Sequence, residues 1–226
     1  MAALYDCSTP TELLTGMRLA RVALGRGELV VLPTDTVYGV AADAFSPRAV
    51  QRLLDAKGRT RQSPPPVLIP STDTLVALAT DIPEAAHRLV AEFWPGGLTL
   101  ILPATPSLMW DLGETNGTVA LRMPDDPLAL ELLADTGPLA VSSANLTGLA
   151  AATTAEGALG MLGDSVEVYL DGGERPEPGA GERALPSTIV DATAADGTLR
   201  IVRLGAISEE RLRAVVGEQL VPGSGV

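Results

Sequence analysis

The sequence contains very few of the side chains that usually carry covalent or metal chemistry. Cys7 is the only cysteine and His87 the only histidine in 226 residues, which excludes a disulfide framework and a cysteine-based metal site. A serine–histidine–aspartate triad or a histidine-ligated metal would have to use His87. Since the residues around His87 predict a helix, a solvated helix position is the simpler interpretation of this residue.

Lysine, aromatic residues and long apolar runs are also scarce. Lys57 is the only lysine among 16 Lys and Arg residues, and aromatic residues make up 3% of the chain. The core must therefore consist of Val, Leu, Ile and Ala, a composition that suits a sheet covered by helices. No run is long enough to span a membrane and residues 1–11 lack the features of a signal peptide, so we expect a cytoplasmic protein without membrane contact.

The acidic balance of the chain limits its partners. Its formal net charge is −12, which repels polyanions at long range and argues against a broad nucleic-acid-binding surface. A local cationic pocket is still compatible with this charge, because a few arginines in one cleft act at short range. The sequence has no Walker P-loop and no Gly-x-Gly-x-x-Gly motif, so any ATP binding must use a different cradle.

Helix and strand signals alternate along the whole chain, and no linker divides them. Helices are predicted over 9–25, 46–58, 74–80, 83–93, 126–136, 154–162 and 208–216, and strands over 28–33, 66–70, 97–103, 118–122, 139–142, 166–170, 188–191 and 199–202. A long Gly/Pro segment over 172–186 is typical of a functional lid or a disordered loop. The pattern predicts an α/β fold with one mixed sheet, in a single domain over 1–226 whose tail, 217–226, is mobile.

Polar side chains follow the first predicted strand directly. Residues 33–39 read Pro-Thr-Asp-Thr-Val-Tyr-Gly, and polar residues at the exit of a strand often face a ligand crevice in open α/β sheets. Thr34, Thr36 and Tyr38 would offer neutral hydroxyls to a small polar substrate. An ordinary turn containing Asp and Gly is an equally good interpretation.

Three cations lie within five residues at the end of the second predicted helix: Lys57, Arg59 and Arg61. A helix C-terminus favours cations through its dipole, which alone would explain them. The functional alternative is a triphosphate clamp, in which lysine supplies a point charge and arginine a planar fork for phosphate oxygens.

Two further polar residues lie in the apolar strand predicted over 118–122. Thr118 and Arg122 share one face of this strand, about 13 Å apart. An arginine in an apolar strand is costly unless it is paired. Its partner could be a neighbouring carboxylate such as Asp125 or Asp126, or it could be a ligand.

The remaining candidates lie at the ends of other strands. Ser143 and Asn145 follow the strand predicted over 139–142, where they could hold a base, a ribose or a phosphate, or could simply cap the strand. Ser187 lies where the Gly/Pro segment meets the next strand, and Arg203 follows the strand after it. Each of these two also has an ordinary interpretation as strand-end polarity.

Taken in order, these segments resemble those of one family. The residues 33–39, Lys57-Gly58-Arg59, Phe93-Trp94-Pro95-Gly96, 118–124, Ser143-Ala144-Asn145 and 187–191 occur in the order seen in YrdC-like threonylcarbamoyl-AMP synthases. The resemblance covers about residues 15–210 and is closest to the short, single-domain form. It implies a twisted mixed sheet flanked by helices, a YrdC-like fold with a deep basic cavity.

The resemblance also implies an activity. Members of that family convert L-threonine, bicarbonate or CO2, and ATP to threonylcarbamoyl-AMP and pyrophosphate. The product is then used by separate tRNA threonylcarbamoyl-transfer proteins, so direct tRNA contact is expected to be weak at most. Mg²⁺ is expected to accompany ATP, carried by phosphates and water and not by a protein-ligated metal site.

Site residues follow from the resemblance position by position. Lys57 and Arg59 would be the catalytic residues. Threonine would be bound by Thr36, Tyr38, Arg122 and Ser187. The ATP site would comprise Lys57, Arg59, Ser63, Thr118, Ser143, Asn145 and Arg203.

The chain departs from the family pattern at several positions. Ser63-Pro64-Pro65 stands where Asn-Pro-Leu is usual, Leu68 stands near a usual histidine, Ser142 replaces a proline, Pro186 replaces a glutamate and Leu204 replaces a proline. Two alternative functions are compatible with these differences. One is a nucleotide- or RNA-binding module that has lost the synthase chemistry, and the other is a transferase that uses a related carbamoyl-adenylate.

Overall fold

An eleven-stranded mixed sheet forms the centre of the computed structural model, which describes residues 2–176 and 185–221. The strands are β1 (Ala3–Asp6), β2 (Val30–Leu32), β3 (Gly39–Asp43), β4 (Val67–Leu68), β5 (Leu98–Pro103), β6 (Thr118–Arg122), β7 (Leu139–Ser143), β8 (Val168–Asp171), β9 (Thr188–Asp191), β10 (Leu199–Arg203) and β11 (Leu220–Val221). Their order across the sheet is β1-β8-β2-β3-β7-β4-β6-β5-β9-β10-β11.

Seven α-helices flank this sheet in the described part of the chain. They are α1 (Pro10–Gly25), α2 (Pro47–Lys57), α3 (Thr72–Leu78), α4 (Glu84–Phe93), α5 (Pro127–Thr136), α6 (Ala155–Leu162) and α7 (Glu209–Val216), with short 3-10 turns at Gly163–Ser165 and Gly217–Gln219. Every predicted helix is present within a few residues of its expected bounds. No helix among the described residues is long and apolar enough to cross a membrane.

The starts of α2 and α5 follow the capping chemistry of the sequence, whereas that of α1 does not. The side chains of Ser46 and Asp126 accept hydrogen bonds from the first turns of α2 and α5, and a proline occupies the first turn of each, as in many helices. Thr9 occupies the same position before α1, but its hydroxyl donates to the carbonyl of Asp6 and caps no helical N–H. The first turn of α1 is instead joined to β1 through Glu12, which accepts from the N–H of Asp6.

Alternation along the strands separates two apolar layers on one half of the sheet. In β2, Val30 and Leu32 pack with α1 and α5, whereas Val31 packs on the other face with α2 and α6. The same alternation in β8 places Leu170 on the first face and Tyr169 on the second. Because successive side chains of a strand point to opposite faces, this half of the sheet is covered by helices on both sides, and the predicted α/β architecture is confirmed.

The other half of the sheet is covered by helices on one face only. Leu98 and Leu100 of β5 and Leu121 of β6 belong to a core that also includes residues of α3, α4 and α7. The intervening residues Ile101 and Arg122 point to the opposite face, where a cavity lies. The fold therefore leaves one face of β5 and β6 available for a ligand.

Three strands were not predicted from the sequence. The residues of β3, Gly-Val-Ala-Ala-Asp, have weak strand propensity, and this strand exists because it is paired on both sides, with β2 and β7. β1 lies at the sheet edge and pairs with β8. Within the tail predicted to be mobile, 217–226, the residues 217–221 form a 3-10 turn and β11, which pairs with β10. Residues 222–226 lie outside the described residues, as do 177–184 of the predicted lid.

Candidate functional site

A cavity of about 290 Å³ lies on the uncovered face of β5, β6 and β9. Its floor comes from alternate strand residues, and its walls come from the segment after β2, the segment before β4 and the end of β7. One part of the wall is apolar and the remainder carries hydroxyls and guanidinium groups. The lining includes Thr34, Thr36, Tyr38, Arg59, Pro64, Pro65, Leu68, Thr99, Leu112, Thr118, Arg122, Val141, Ser142, Ser143, Pro186, Ser187 and Arg203.

Arg122 is the most completely engaged cation of the cavity. It is 6% exposed, and its Nε donates to the carbonyl of Gly96 at 2.9 Å. Its Nη1 donates to the hydroxyl of Thr36 at 3.0 Å, and its Nη2 is paired with Oδ1 of Asp35 at 2.5 Å. Of the two possibilities left open by the sequence, a partner at Asp125 or Asp126 is not observed, since the carboxylate that pairs with Arg122 is that of Asp35. Asp125 contributes only its backbone N–H, which donates to the same Asp35 carboxylate at 3.0 Å.

The segment after β2 is held by its own hydroxyls. Thr34 donates to the carbonyl of Val37 at 2.7 Å and lies 3.1 Å from the hydroxyl of Thr36. Since Thr34 has used its proton, Thr36 donates to Thr34 and accepts from Arg122. The two threonines thus connect the turn after β2 to the guanidinium on β6.

Tyr38 lines the cavity, but its hydroxyl lies elsewhere. The hydroxyl donates to the carbonyl of Gly173 at 2.6 Å and accepts from the N–H of Gly172 at 3.0 Å. Burial, as the main cause, raises the pKa of this phenol above its ordinary value. The hydroxyl therefore fixes the segment after β8, and only the rest of the side chain is available to the cavity.

Ser187 and Arg203 form a second polar cluster with Thr99. The hydroxyls of Thr99 and Ser187 lie 2.8 Å apart, and Nη2 of Arg203 donates to the Ser187 carbonyl at 2.7 Å. The segment after β10 can lie this close to Pro186 and Ser187 because residue 205 is a glycine. A Cβ atom at this position would lie 2.0 Å from the carbonyl oxygen of Pro186. Burial lowers the pKa of Arg203, and the charges of Arg122 and Arg59 lower it further.

Arg59 enters the cavity from the end of α2. Gly58 ends this helix in the left-handed conformation, with φ at 63°, which glycine adopts without strain. Arg59 then donates to the hydroxyl of Ser142 at 3.1 Å. Among the described residues, Arg122 is the only one of the three cavity arginines with a carboxylate partner. The cavity therefore carries positive charge that an anionic ligand would neutralise.

Lys57 lies behind the cavity and not in its lining. It is 1% exposed, and its ammonium donates to the carbonyl of Ser143 and, at 2.6 Å, to that of Asn145. The side chain of Asn145 in turn donates to the carbonyls of Leu146 and Leu149 at 2.9 and 2.8 Å. Burial, with a smaller contribution from the charge of Arg59, lowers the pKa of Lys57 to about 8.

Most of the residues suggested by the resemblance are brought together by the fold. Eight of the eleven line the cavity: Thr36, Tyr38, Arg59, Thr118, Arg122, Ser143, Ser187 and Arg203. Lys57 and Asn145 support the segment after β7 instead. Ser63 is exposed in a turn, where its N–H donates to the carbonyl of Thr60, although the prolines that follow it reach the cavity. His87 is exposed on α4, which agrees with its predicted position on a solvated helix.

Sequence reasoning missed three polar residues of this site. Asp35 belongs to the 33–39 segment but has no signal that sets it apart there, although it is the carboxylate that pairs with Arg122. Thr99 is visible as one polar residue between Leu98 and Leu100, a signal that period-two alternation could have identified. Ser142 differs from the proline usual in the family, but its contact with Arg59 could not be predicted because it joins two segments that are 83 residues apart in the chain.

Comparisons with known proteins agree with this architecture. The family model for Sua5, YciO and YrdC proteins, described as "Telomere recombination", matches residues 22–205. A Mycobacterium leprae protein is 49% identical over 224 residues, covering 99% of this chain and 97% of its own length. The threonylcarbamoyl-AMP synthase of Bacillus subtilis is 40% identical over 201 residues, which are 88% of this chain and 56% of that protein.

A solved structure extends the similarity to three dimensions. The Pyrococcus abyssi Sua5 protein complexed with L-threonine superimposes with a TM-score of 0.84 at 33% identity. The match covers 96% of this chain and 61% of that one, so the chain spans less than two thirds of this neighbour's length. On the family match and these relatives, the chain belongs to the Sua5/YciO/YrdC family.

Proposed function

We propose that this protein is a threonylcarbamoyl-AMP synthase, a nucleotidyltransferase that converts L-threonine, bicarbonate or CO2, and ATP to threonylcarbamoyl-AMP and pyrophosphate. One observation carries the proposal: three guanidinium groups, Arg59, Arg122 and Arg203, face one cavity beside several hydroxyls, with one carboxylate partner among the described residues. The names of the relatives support it, as does the L-threonine bound to the P. abyssi neighbour.

The polar cluster around Arg122 suits the amino acid. Two of the five N–H groups of Arg122 are not used by Gly96, Thr36 and Asp35, and they are free to bind the carboxylate of L-threonine. Asp35 holds the guanidinium in place and moderates its charge. The adjacent hydroxyls of Thr99 and Ser187 are suited to the polar groups of a small substrate.

The nucleotide would occupy the remainder of the cavity. Arg59 and Arg203 have no carboxylate partner among the described residues, and planar forks of this kind bind phosphate oxygens in two-point contacts. The wall formed by Pro65, Leu68 and Leu112 is apolar, as the face of a purine base requires. In this arrangement Lys57 and Asn145 act from behind, by fixing the backbone at Ser143.

The reaction then needs positioning and charge neutralisation more than a protein nucleophile. The threonine amine adds to CO2 and releases one proton to solvent, which gives N-carboxythreonine, and an oxygen of this carbamate attacks the α-phosphorus of ATP. A new P–O bond forms as the bond to the β-phosphate oxygen breaks, and the electron pair leaves with pyrophosphate. Arginine side chains around the cavity would stabilise the negative charge on the transferring phosphoryl group.

We further propose that Mg²⁺ enters with ATP and is ligated by phosphate oxygens and water. No cluster of three or more His, Cys, Asp or Glu side chains suited to a metal ion occurs within residues 2–176 and 185–221. The donor set of the cavity, hydroxyls and guanidinium groups, also does not suit a dedicated magnesium cage. Mg²⁺ would neutralise part of the charge on the leaving pyrophosphate.

The proposed product implies its consumers and its location. Threonylcarbamoyl-AMP would pass to separate proteins that transfer the threonylcarbamoyl group to tRNA in the cytoplasm. This protein itself needs no extensive RNA contact, in keeping with its net charge of −12.

Pyrophosphate release by the purified protein tests the proposal. ATP, Mg²⁺ and bicarbonate are supplied with each amino acid in turn, and we expect release only with L-threonine, together with a product of the mass of threonylcarbamoyl-AMP. Arg59→Gln should reduce the rate strongly, whereas Arg48→Gln, at an exposed position on α2, should leave it unchanged. Folded protein that binds ATP but releases no pyrophosphate would contradict the proposal.

A further inference from the structure

Ser142 is a buried hydroxyl of the cavity that the proposed reaction does not use. It lies in β7, is 7% exposed and lines the cavity next to Ser143. We propose that Ser142 is a positioning residue, which orients the guanidinium of Arg59 toward the phosphates of the bound nucleotide. The proposal rests on the nucleotide site described above and identifies what holds its central cation in place.

Arg59 needs such a partner because no other hydrogen bond from the described residues directs its side chain. Its backbone is fixed by the end of α2, where its N–H donates to the carbonyl of Leu54 at 2.8 Å. The guanidinium itself makes one hydrogen bond within the described residues, to the hydroxyl of Ser142 at 3.1 Å. Without it, a long and flexible side chain would have to be ordered at the moment of binding, which weakens binding.

Ser142, by contrast, is held firmly on both sides. It lies opposite Val40 in the pairing of β7 with β3. The residues around it are also fixed, since the N–H of Val141 donates to Pro66 at 2.8 Å and that of Ala144 donates to Tyr38 at 2.7 Å. Its hydroxyl oxygen is therefore an acceptor at a defined place in the cavity.

The contact is one of a pair that joins the end of α2 to the end of β7. Lys57 holds the carbonyls of Ser143 and Asn145, and two residues later Arg59 holds the side chain of Ser142. Lys57 and Arg203 are cations close to Arg59, so like-charge repulsion would favour its displacement toward solvent. The hydroxyl of Ser142 opposes this displacement.

Binding of inorganic pyrophosphate, measured by calorimetry, tests the inference without requiring any chemistry. The hydroxyl is lost in Ser142→Ala, and we expect about tenfold weaker binding of pyrophosphate. Ser142→Thr keeps the hydroxyl and should restore most of the affinity. In an Arg59→Gln background, Ser142→Ala should have little further effect, because the positioning role requires the guanidinium.

Three results would overturn the inference. The first is wild-type affinity in Ser142→Ala, and the second is an equal loss of pyrophosphate affinity from Ser142→Ala in the wild-type and Arg59→Gln backgrounds. The third is no pyrophosphate binding by the wild type at millimolar concentration. An equal loss would mean that Ser142 acts on the ligand directly or on the fold alone. Ser46→Ala, which removes the cap at the opposite end of α2 from Arg59, serves as the stability control and should bind pyrophosphate like the wild type. If the synthase assay detects no pyrophosphate release but the Ser142 and Arg59 variants bind pyrophosphate as expected, the inference about Ser142 stands and the proposed reaction is refuted.

Discussion

Replacing Asp35 by asparagine removes the carboxylate that pairs with Arg122 while keeping the shape of the side chain. The two side chains are 16% and 7% exposed, so the pair is largely shielded from water. Nη2 of Arg122 and the N–H of Asp125 both donate to Oδ1 of Asp35, so the amide oxygen of asparagine can keep both hydrogen bonds. The change therefore removes charge compensation and little packing.

The expected loss of stability follows from this burial. Removing one partner of a buried ion pair typically costs about 3–5 kcal/mol, since the other charge is left uncompensated. Because asparagine keeps an acceptor, we expect about 3 kcal/mol for Asp35→Asn, which for a chain of this size lowers the melting temperature by roughly 6–12 °C. The KM for L-threonine should rise as well, because Arg122 loses the contact that fixes its orientation.

Urea denaturation, followed by tryptophan fluorescence, measures the effect in a double-mutant cycle. The cycle comprises wild type, Asp35→Asn, Arg122→Met and the double variant, and the two changes should be strongly non-additive. Asp111→Asn is the matched control, because it breaks the pair with Arg61, whose side chains are 42% and 45% exposed, and such surface pairs contribute little. Additive effects, or equal losses in Asp35→Asn and Asp111→Asn, would refute the reasoning.

Three further predictions concern other parts of the site. The pKa of Lys57 is about 8 in the folded protein and 10.5 in the unfolded chain, so between these pH values the unfolded chain binds one more proton. The free energy of unfolding should therefore rise by roughly 2–3 kcal/mol from pH 8 to pH 10.5 in the wild type, and this rise should be absent in Lys57→Met. Tyr38→Phe should lower stability by about 1 kcal/mol and leave the KM for L-threonine unchanged, since its hydroxyl lies outside the cavity. Ala120 of β6 lines the cavity, so Ala120→Leu should fill it and stop pyrophosphate release with an unchanged free energy of unfolding. Leu121→Ala, on the opposite face of β6, should cost about 2–5 kcal/mol of stability and retain activity.

The sequence predicts the elements well where a local signal exists. Proline and a capping side chain mark the starts of α2 and α5, and period-two alternation in β6 is enough to place Thr118 and Arg122 on one face. β3 gives no such signal, since Gly39–Asp43 becomes a strand only through its neighbours. The ordered motifs identify the family, but they do not distinguish a side chain in the cavity from one behind it.

That distinction depends on contacts between distant segments. Lys57 and Asn145 are 88 residues apart, and Arg122 and Asp35 are 87 apart. Only the position of β7 between β3 and β4 brings the first pair together, and nothing in the residues around Lys57 predicts it. For the same reason, the residues around Arg122 suggest a partner nearby in sequence, whereas its carboxylate comes from the turn after β2.

The charge distribution of the cavity explains why these distant contacts matter. Four cations lie in or beside the cavity: Lys57, Arg59, Arg122 and Arg203. Among the described residues, the one ion pair in this group is that of Arg122 with Asp35. Backbone carbonyls of Gly96, Ser143, Asn145 and Ser187 accept from three of these cations, which partly replaces the water that burial has removed. Carbonyl dipoles lower the cost of holding the cations but do not cancel their charge. The phosphates of the proposed nucleotide would cancel it, so the expected affinity for phosphate and the cost of holding these cations together would have the same physical origin.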